Sequence, residues 1–295
     1  MVGMTCCSLR HEGAELLAER FGLAAYASDG ISTCMSLMHP WANRLSSWTY
    51  RACGTTVHLP ISRRLHTDRF GLPLNGVHSV GDVWRLEGMQ GGVDSAALHA
   101  SLRFETDPGQ MAAFPFPHRL HFFAELTERG LRLDFELEPS ADAPVPVCFG
   151  YRIYLRRAPA ADATLVLPAR QRLATDERLL PTGRLQPRDR RAYSLGADEL
   201  HEVFALGPDT RVTIGGPKRR ITAEFVRGFP FGQVRSAAGQ PHLMLEALTA
   251  SPDALNRDAF PVATSTQPYR ASLRLSIDAL SQDPIGSSST VSITS

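Results

Sequence analysis

The chain has 295 residues, of which 43% are apolar and 21% charged, enough apolar material for a sizeable buried core. Its 31 Lys and Arg against 30 Asp and Glu leave a net charge of +1. That balance excludes a global field recruiting nucleic acid or an anionic membrane, and points to a small or neutral partner.

No apolar run reaches the ~20 residues that span a bilayer, and no basic segment followed by an apolar one opens the chain, so a cytoplasmic location is expected. The five cysteines, Cys6, Cys7, Cys34, Cys53 and Cys148, are odd in number and lack zinc-ligand spacing. They read as free thiols in a reducing compartment.

The first patterned stretch, "EGAELLAERFGLAAYA" (12 to 27), has helix-favouring Ala, Leu and Glu but also Gly13 and Gly22, and is read here as strands. Short apolar runs between turn residues follow: "DVWRLE" (82 to 87), "ALHASLRFE" (97 to 105) and "HRLHFFAELT" (118 to 127). In "LRLDFELE" (131 to 138), Leu131, Leu133, Phe135 and Leu137 alternate with Arg132, Asp134, Glu136 and Glu138, the period-two pattern of a half-buried strand.

Further candidates are "PVCFGYRIYLR" (146 to 156), "ATLVLP" (163 to 168), "EVFAL" (202 to 206), "RVTIG" (211 to 215), "RITAEFV" (220 to 226), "HLMLEAL" (242 to 248) and the alternating "YRASLRLSI" (269 to 277). One short helix is expected at "SPDALN", with Ser251 capping Pro252 at the first helical position. Many short strands at regular spacing predict an all-β fold, a large antiparallel sandwich, spanning 1 to 280 as one domain. Residues 281 to 295 read as a polar tail.

Several stretches, in order, resemble the aldose 1-epimerase (galactose mutarotase) family. "HPWANRLSSWTY" (39 to 50) is similar to its Asn-Arg segment, and "LPLNGVHSVGDVWRLE" (72 to 87) to its sugar-binding histidine segment. "PFPHRLHFFAELTERGLRLDFELE" is similar to its central paired strands and "LLPTGRL" (179 to 185) to its Pro-Thr-Gly turn. "LMLEALTASPDAL" (243 to 255) resembles the segment that carries its catalytic glutamate, although Ala247 stands where the family usually has proline. The resemblance implies a galactose mutarotase-like sandwich, a small-molecule carbohydrate as partner, and anomer interconversion needing neither metal nor organic cofactor.

Interconverting α and β anomers requires a base for the anomeric hydroxyl proton and an acid for the ring oxygen, flanking one sugar. Glu246 is the only acidic residue in its apolar strand, where desolvation would raise its pKa. The resemblance gives it the role of base; its structural alternative is a carboxylate paired with an arginine. His78 matches the sugar-binding histidine, against a turn histidine beside Gly76 and Gly81. Asn43 and Arg44 match the Asn-Arg pair, of which the arginine contacts sugar hydroxyls, against turn chemistry after Pro40.

Two departures from the family stand out. "CFGYRIYL" (148 to 155) puts Arg152 where the family has its general-acid histidine, and arginine is a very poor proton donor at neutral pH. "LHEVF" (200 to 204) puts His201 where a sugar-binding aspartate is usual; Glu202 beside it would face the other way unless a bulge intervenes.

Three readings follow. The chain is a mutarotase-like isomerase, with Glu246 as base, His78 or His201 as proton source and Arg152 stabilising charge at the ring oxygen. Alternatively, it is a carbohydrate-binding or sensing module that has lost turnover. On the substrate side, Arg44 and Arg152 could converge on the carboxylate or phosphate of an acidic sugar, unless Arg152 is in an ion pair with a neighbouring-strand carboxylate.

The basic runs "RDRRAY" (188 to 193) and "PKRR" (217 to 220) read as solvated loops. Phe114, Phe116, Phe122 and Phe123 read as core, while Trp41 or Trp48 could line a cleft near Asn43. Oligomeric state leaves no mark in the sequence.

Overall fold

The computed structural model describes residues 3–19, 22–29, 33–77, 83–157, 163–168, 171–188, 192–195, 198–237 and 239–280. Two large antiparallel sheets dominate them. One has nine strands, in the order Ala192–Ser194, Thr164–Val166, Arg211–Gly215, Arg219–Arg227, Tyr269–Ala279, Gly130–Pro139, His118–Thr127, Ser95–Arg103 and Trp84–Gly91. The other has seven: Pro181–Pro187, Gln171–Thr175, Leu200–Ala205, Phe231–Ser236, His242–Leu248, Gly150–Arg156 and Met35–Met38.

Alternation decides which way each strand faces. Leu131, Leu133, Phe135 and Leu137 are buried while the intervening charged residues remain partly exposed, as the period of two requires. From the opposite sheet Tyr151 packs on Phe135 and Phe122, with ring centroids 5.3 and 6.3 Å away. Phe149 and Phe229 close the same aromatic layer. The two inner faces share one continuous apolar core, the packing of a β-sandwich.

Several expectations need correction. Among its described residues the 12 to 27 stretch yields one two-residue strand, Ala14–Glu15, paired with Arg10–His11 before it, and then enters a helix, Gly22–Asp29. There the helix propensity of Leu and Ala outweighs the turn signal. The helix near Glu246 starts at Ala254 rather than Pro252, and its N-cap is Asp253 in the left-handed conformation. Asp253 instead accepts from the Ser46 amide at 2.7 Å and anchors the N-terminal segment.

A helix not expected from the sequence, Pro108–Ala113, is capped by the Asp107 carboxylate. The stretch matched to a Pro-Thr-Gly turn is an edge strand, Pro181–Pro187. Arg188 is buried rather than solvated, with Nε 2.8 Å from Glu202. Trp41 lies in the core against Tyr50, Trp48 donates to the Gly71 carbonyl, and neither borders the cavity at Asn43 described below. Phe114, Phe116 and Phe122 are core, whereas Phe123 is on the outer face, stacked on His99 at 4.1 Å. The polar tail from 281 lies outside the described residues.

Candidate functional site

The outer face of the seven-stranded sheet carries the candidate residues because antiparallel register brings them into line. One transverse row reads Ser36, Arg152, Glu246, Gln233 and Val203; the next reads Tyr154, Met244, Arg235 and His201. Their chain neighbours Ile153, Leu245 and Val234 point into the core. An antiparallel sheet thus converts segments distant in sequence into one polar patch.

At the centre of the first row Arg152 grips Glu246. Nε and Nη2 both lie 2.5 Å from Glu246 Oε1, and the glutamate side chain is 0% exposed. Oε2 is also buried and has no hydrogen-bond partner among the described residues. Burial works against the charge on Arg152, but the Glu246 carboxylate, and after it the Tyr154 hydroxyl, hold its pKa above the ordinary arginine value. The pair is a fixed internal zwitterion, with Tyr154's ring 5.9 Å from the guanidinium carbon.

The row continues into Gln233, which was not singled out in the sequence. Its Oε1 accepts a short hydrogen bond from Asn43 Nδ2. Asn43 is buried in the left-handed conformation, and its Oδ1 in turn accepts from Arg44 Nη1 at 3.1 Å. Arg44 Nε donates to Asp68 at 2.6 Å. Burial resists the ionisation of Asp68, but Arg44 and the amides of Leu72 and Phe70 outweigh it and keep the carboxyl below its usual range. Asp68 sits in the turn "TDRFG", where only its turn propensity was legible.

Asn43, Arg44, Gln233, His201 and Arg172 border a cavity of about 190 Å³. Beside it Met38, Ala42, Val203 and Leu248 form an apolar cluster joined by Leu173 and Phe231. His201 stands at the exposed rim, with Nε2 3.4 Å from Gln233 Nε2. Loss of surrounding water, and then the positive charges of Arg235, Arg44 and Arg69, push its pKa down, so the ring is neutral at pH 7 and can accept from the Gln233 amide.

Of the residues singled out in the sequence, Asn43, Arg44 and His201 meet at the cavity. Arg152 and Glu246 meet each other instead, so the neighbouring-strand ion pair is the arrangement found. Arg44 and Arg152 do not form a free anion clamp, because each already holds a buried carboxylate. Glu202 faces away from His201, opposite Val234 in an unbroken register, and binds Arg188. His78 lies outside the described residues.

The comparisons place this architecture. The family described as aldose 1-epimerase matches residues 3–273. A galactose mutarotase-like protein from Clostridium acetobutylicum superposes with a TM-score of 0.79 at 13% identity, covering 91% of this chain and 87% of its own. Galactose 1-epimerase from Lactobacillus acidophilus gives 0.74 at 14% identity, covering 94% and 89%. The aldose epimerase homologue from C. elegans gives 0.71 at 13%, covering 95% and 94%. No curated protein matches the chain. Identities this low speak for the fold alone, and the match over nearly the whole length speaks for the family: this chain belongs to the aldose 1-epimerase family.

Proposed function

We propose that this chain binds a carbohydrate in the cavity bordered by Asn43, Arg44, Gln233 and His201 and does not turn it over by acid/base anomer exchange. The observation that supports this is the Arg152–Glu246 pair. A general base must reach the proton it removes, and Glu246 is wholly buried with its Oε1 held by a guanidinium. Arg152, at the position of the family's general acid, cannot release a proton near neutral pH either.

An acidic sugar suits the cavity better than a neutral one. Arg235 and Arg69 are exposed, have no ion pair among the described residues, and their charge reaches His201. A sugar carboxylate or phosphate would meet that surplus. Titration calorimetry with a hexose and its phosphate ester tests this: the phosphate binds more tightly, and Arg235→Glu removes the difference. Equal weak binding of both sugars would refute it. The free thiols suit a reducing compartment, and a cytoplasmic location is part of the proposal.

One observation favours a second reading, anomer exchange as in the family. Glu246 Oε2 lacks a hydrogen-bond partner among the described residues, and an anomeric hydroxyl could supply one if Arg152 turned aside. Acceleration of mutarotation that Glu246→Gln abolishes would establish that reading in place of the first.

A further inference from the structure

The larger apolar cavity lies elsewhere, where the two sheets meet near the ends of strands Gly150–Arg156 and Arg211–Gly215. It encloses about 410 Å³ between the short strand Ala14–Glu15 and the turn joining Arg211–Gly215 to Arg219–Arg227. Leu16, Ile214 and Ile221, all buried, supply its apolar wall together with Pro217. The turn is the "GGPKRR" stretch, whose basic run reads from sequence as a solvated loop.

Four cationic side chains line this cavity, Arg156, Arg157, Lys218 and Arg219, and none has an ion pair among the described residues. Carbonyl oxygens hold three of them: Leu17 accepts from Arg156 at 2.9 Å, Leu195 from Arg157 at 2.5 Å, and His11 from Arg219 at 3.3 Å. Carbonyls orient a guanidinium without neutralising it. Lys218 is exposed and has no side-chain partner among the described residues.

The one acid in the lining, Glu15, is already engaged. Its oxygens accept from Ser8 Oγ at 2.5 Å and from the amides of Leu9 and Leu17 at 3.0 Å, and Arg10 lies 3.5 Å away. An apolar wall rimmed by oriented, uncompensated cations is complementary to a molecule with an apolar body and an anionic group. We propose that this cavity is a second ligand site, distinct from the sugar cavity, that binds a small amphipathic anion with its apolar body on Leu16, Ile214 and Ile221 and its charge among Arg156, Arg157, Lys218 and Arg219. Neither Glu246 nor His201 takes part, so the site does not depend on the sugar-binding reading.

Anilinonaphthalene sulfonate, an apolar anion whose emission rises on desolvation, is a direct probe for the full chain. The expected result is one binding site per chain, weakened about tenfold or more in Lys218→Glu/Arg219→Glu, since two reversed charges then face the sulfonate. The single variant Lys218→Glu removes no contact of the fold and weakens binding in the same direction. Arg235→Glu, opposite His201 on the outer face of the seven-stranded sheet, leaves it unchanged, and the uncharged N-phenylnaphthylamine binds more weakly than the sulfonate. No rise in emission, equal affinity in wild type and both Lys218 variants, or equal affinity for the uncharged analogue would overturn the proposal.

Discussion

Two buried polar pairs tie distant parts of this molecule together, and they solve the problem of burial in opposite ways. Arg152 and Glu246, 94 residues apart, are both charged and compensate one another. His39 and His118, 79 residues apart, are both neutral: His118 Nδ1 donates to the Phe116 carbonyl at 2.6 Å, and its Nε2, 2.9 Å away, accepts from His39 Nε2. The histidines sit between the sheets among Phe104 and Phe114, where neither ring has an ion-pair partner among the described residues and the charge of Glu105 only partly offsets burial at His118, so burial drives both to the uncharged form. The ion pair sits on the outer face of a sheet, where Arg152 keeps slight contact with solvent. A charge is tolerated where a partner and some water are at hand, and a neutral donor and acceptor serve where neither is.

Removing one member of the charged pair has the largest expected effect. Glu246→Leu leaves a buried guanidinium without its anion and costs about 3–5 kcal/mol, measurable by urea unfolding. Arg152→Met combined with Glu246→Leu returns to wild-type stability or above it, because an apolar pair of similar volume has no charge to desolvate. A double variant as unstable as the single one would show that the pair contributes more than mutual neutralisation.

The neutral pair responds to pH instead. Both folded-state pKa values are depressed, that of His118 to about 4, first by burial, so the unfolded chain takes up protons that the folded one does not. Stability from this source is complete above about pH 6.5 and is lost as pH falls towards about 4, on the order of 3 kcal/mol for His118 alone. Paired carboxylates such as Asp68 and Glu15, whose pKa values are lowered, lose their contribution only further into acid. Unfolding free energies between pH 7 and pH 4.5 should therefore slope downward, and His39→Phe combined with His118→Phe should flatten that slope.

A smaller effect is expected where His39 meets the segment before His78. Gly76 has φ +73°, and a Cβ there would come within 2.2 Å of the His39 carbonyl oxygen. Gly76→Ala destabilises by about 1–3 kcal/mol through strain and overpacking. Smallest of all is the exposed pair of Arg270 with Glu136, both bonds 2.9 Å, where Arg270→Ala leaves the urea midpoint almost unchanged despite its two-pronged geometry.

How much of this was legible in the sequence depended on which faces a strand buries. His118–Thr127 and Gly130–Pro139 alternate openly because one side meets water, and their positions follow from pattern. Met35–Met38 is buried on both sides, so "MSLM" has no alternation to read and was missed. Phe231–Ser236 was missed too, although Gln233 and Arg235 alternate there with the small or apolar Gly232 and Val234.

The site was legible in its members and hidden in its connections. Arg152 and Glu246 were each singled out, but their pairing depends on register between strands, which no local signal carries. Asp68 and Gln233, which fix Arg44 and Asn43, escaped because their roles depend on partners 24 and 190 residues away.

Glu246, at the position of the family's base, is half of an internal ion pair, and the proposed function holds that this leaves binding without turnover. Anomer exchange measured by NMR, on sugars that calorimetry shows to bind, tests it most directly. The expected rate in the presence of wild-type protein is the spontaneous one, unchanged by Glu246→Gln. Exchange faster than the spontaneous rate, abolished by that substitution, would contradict it.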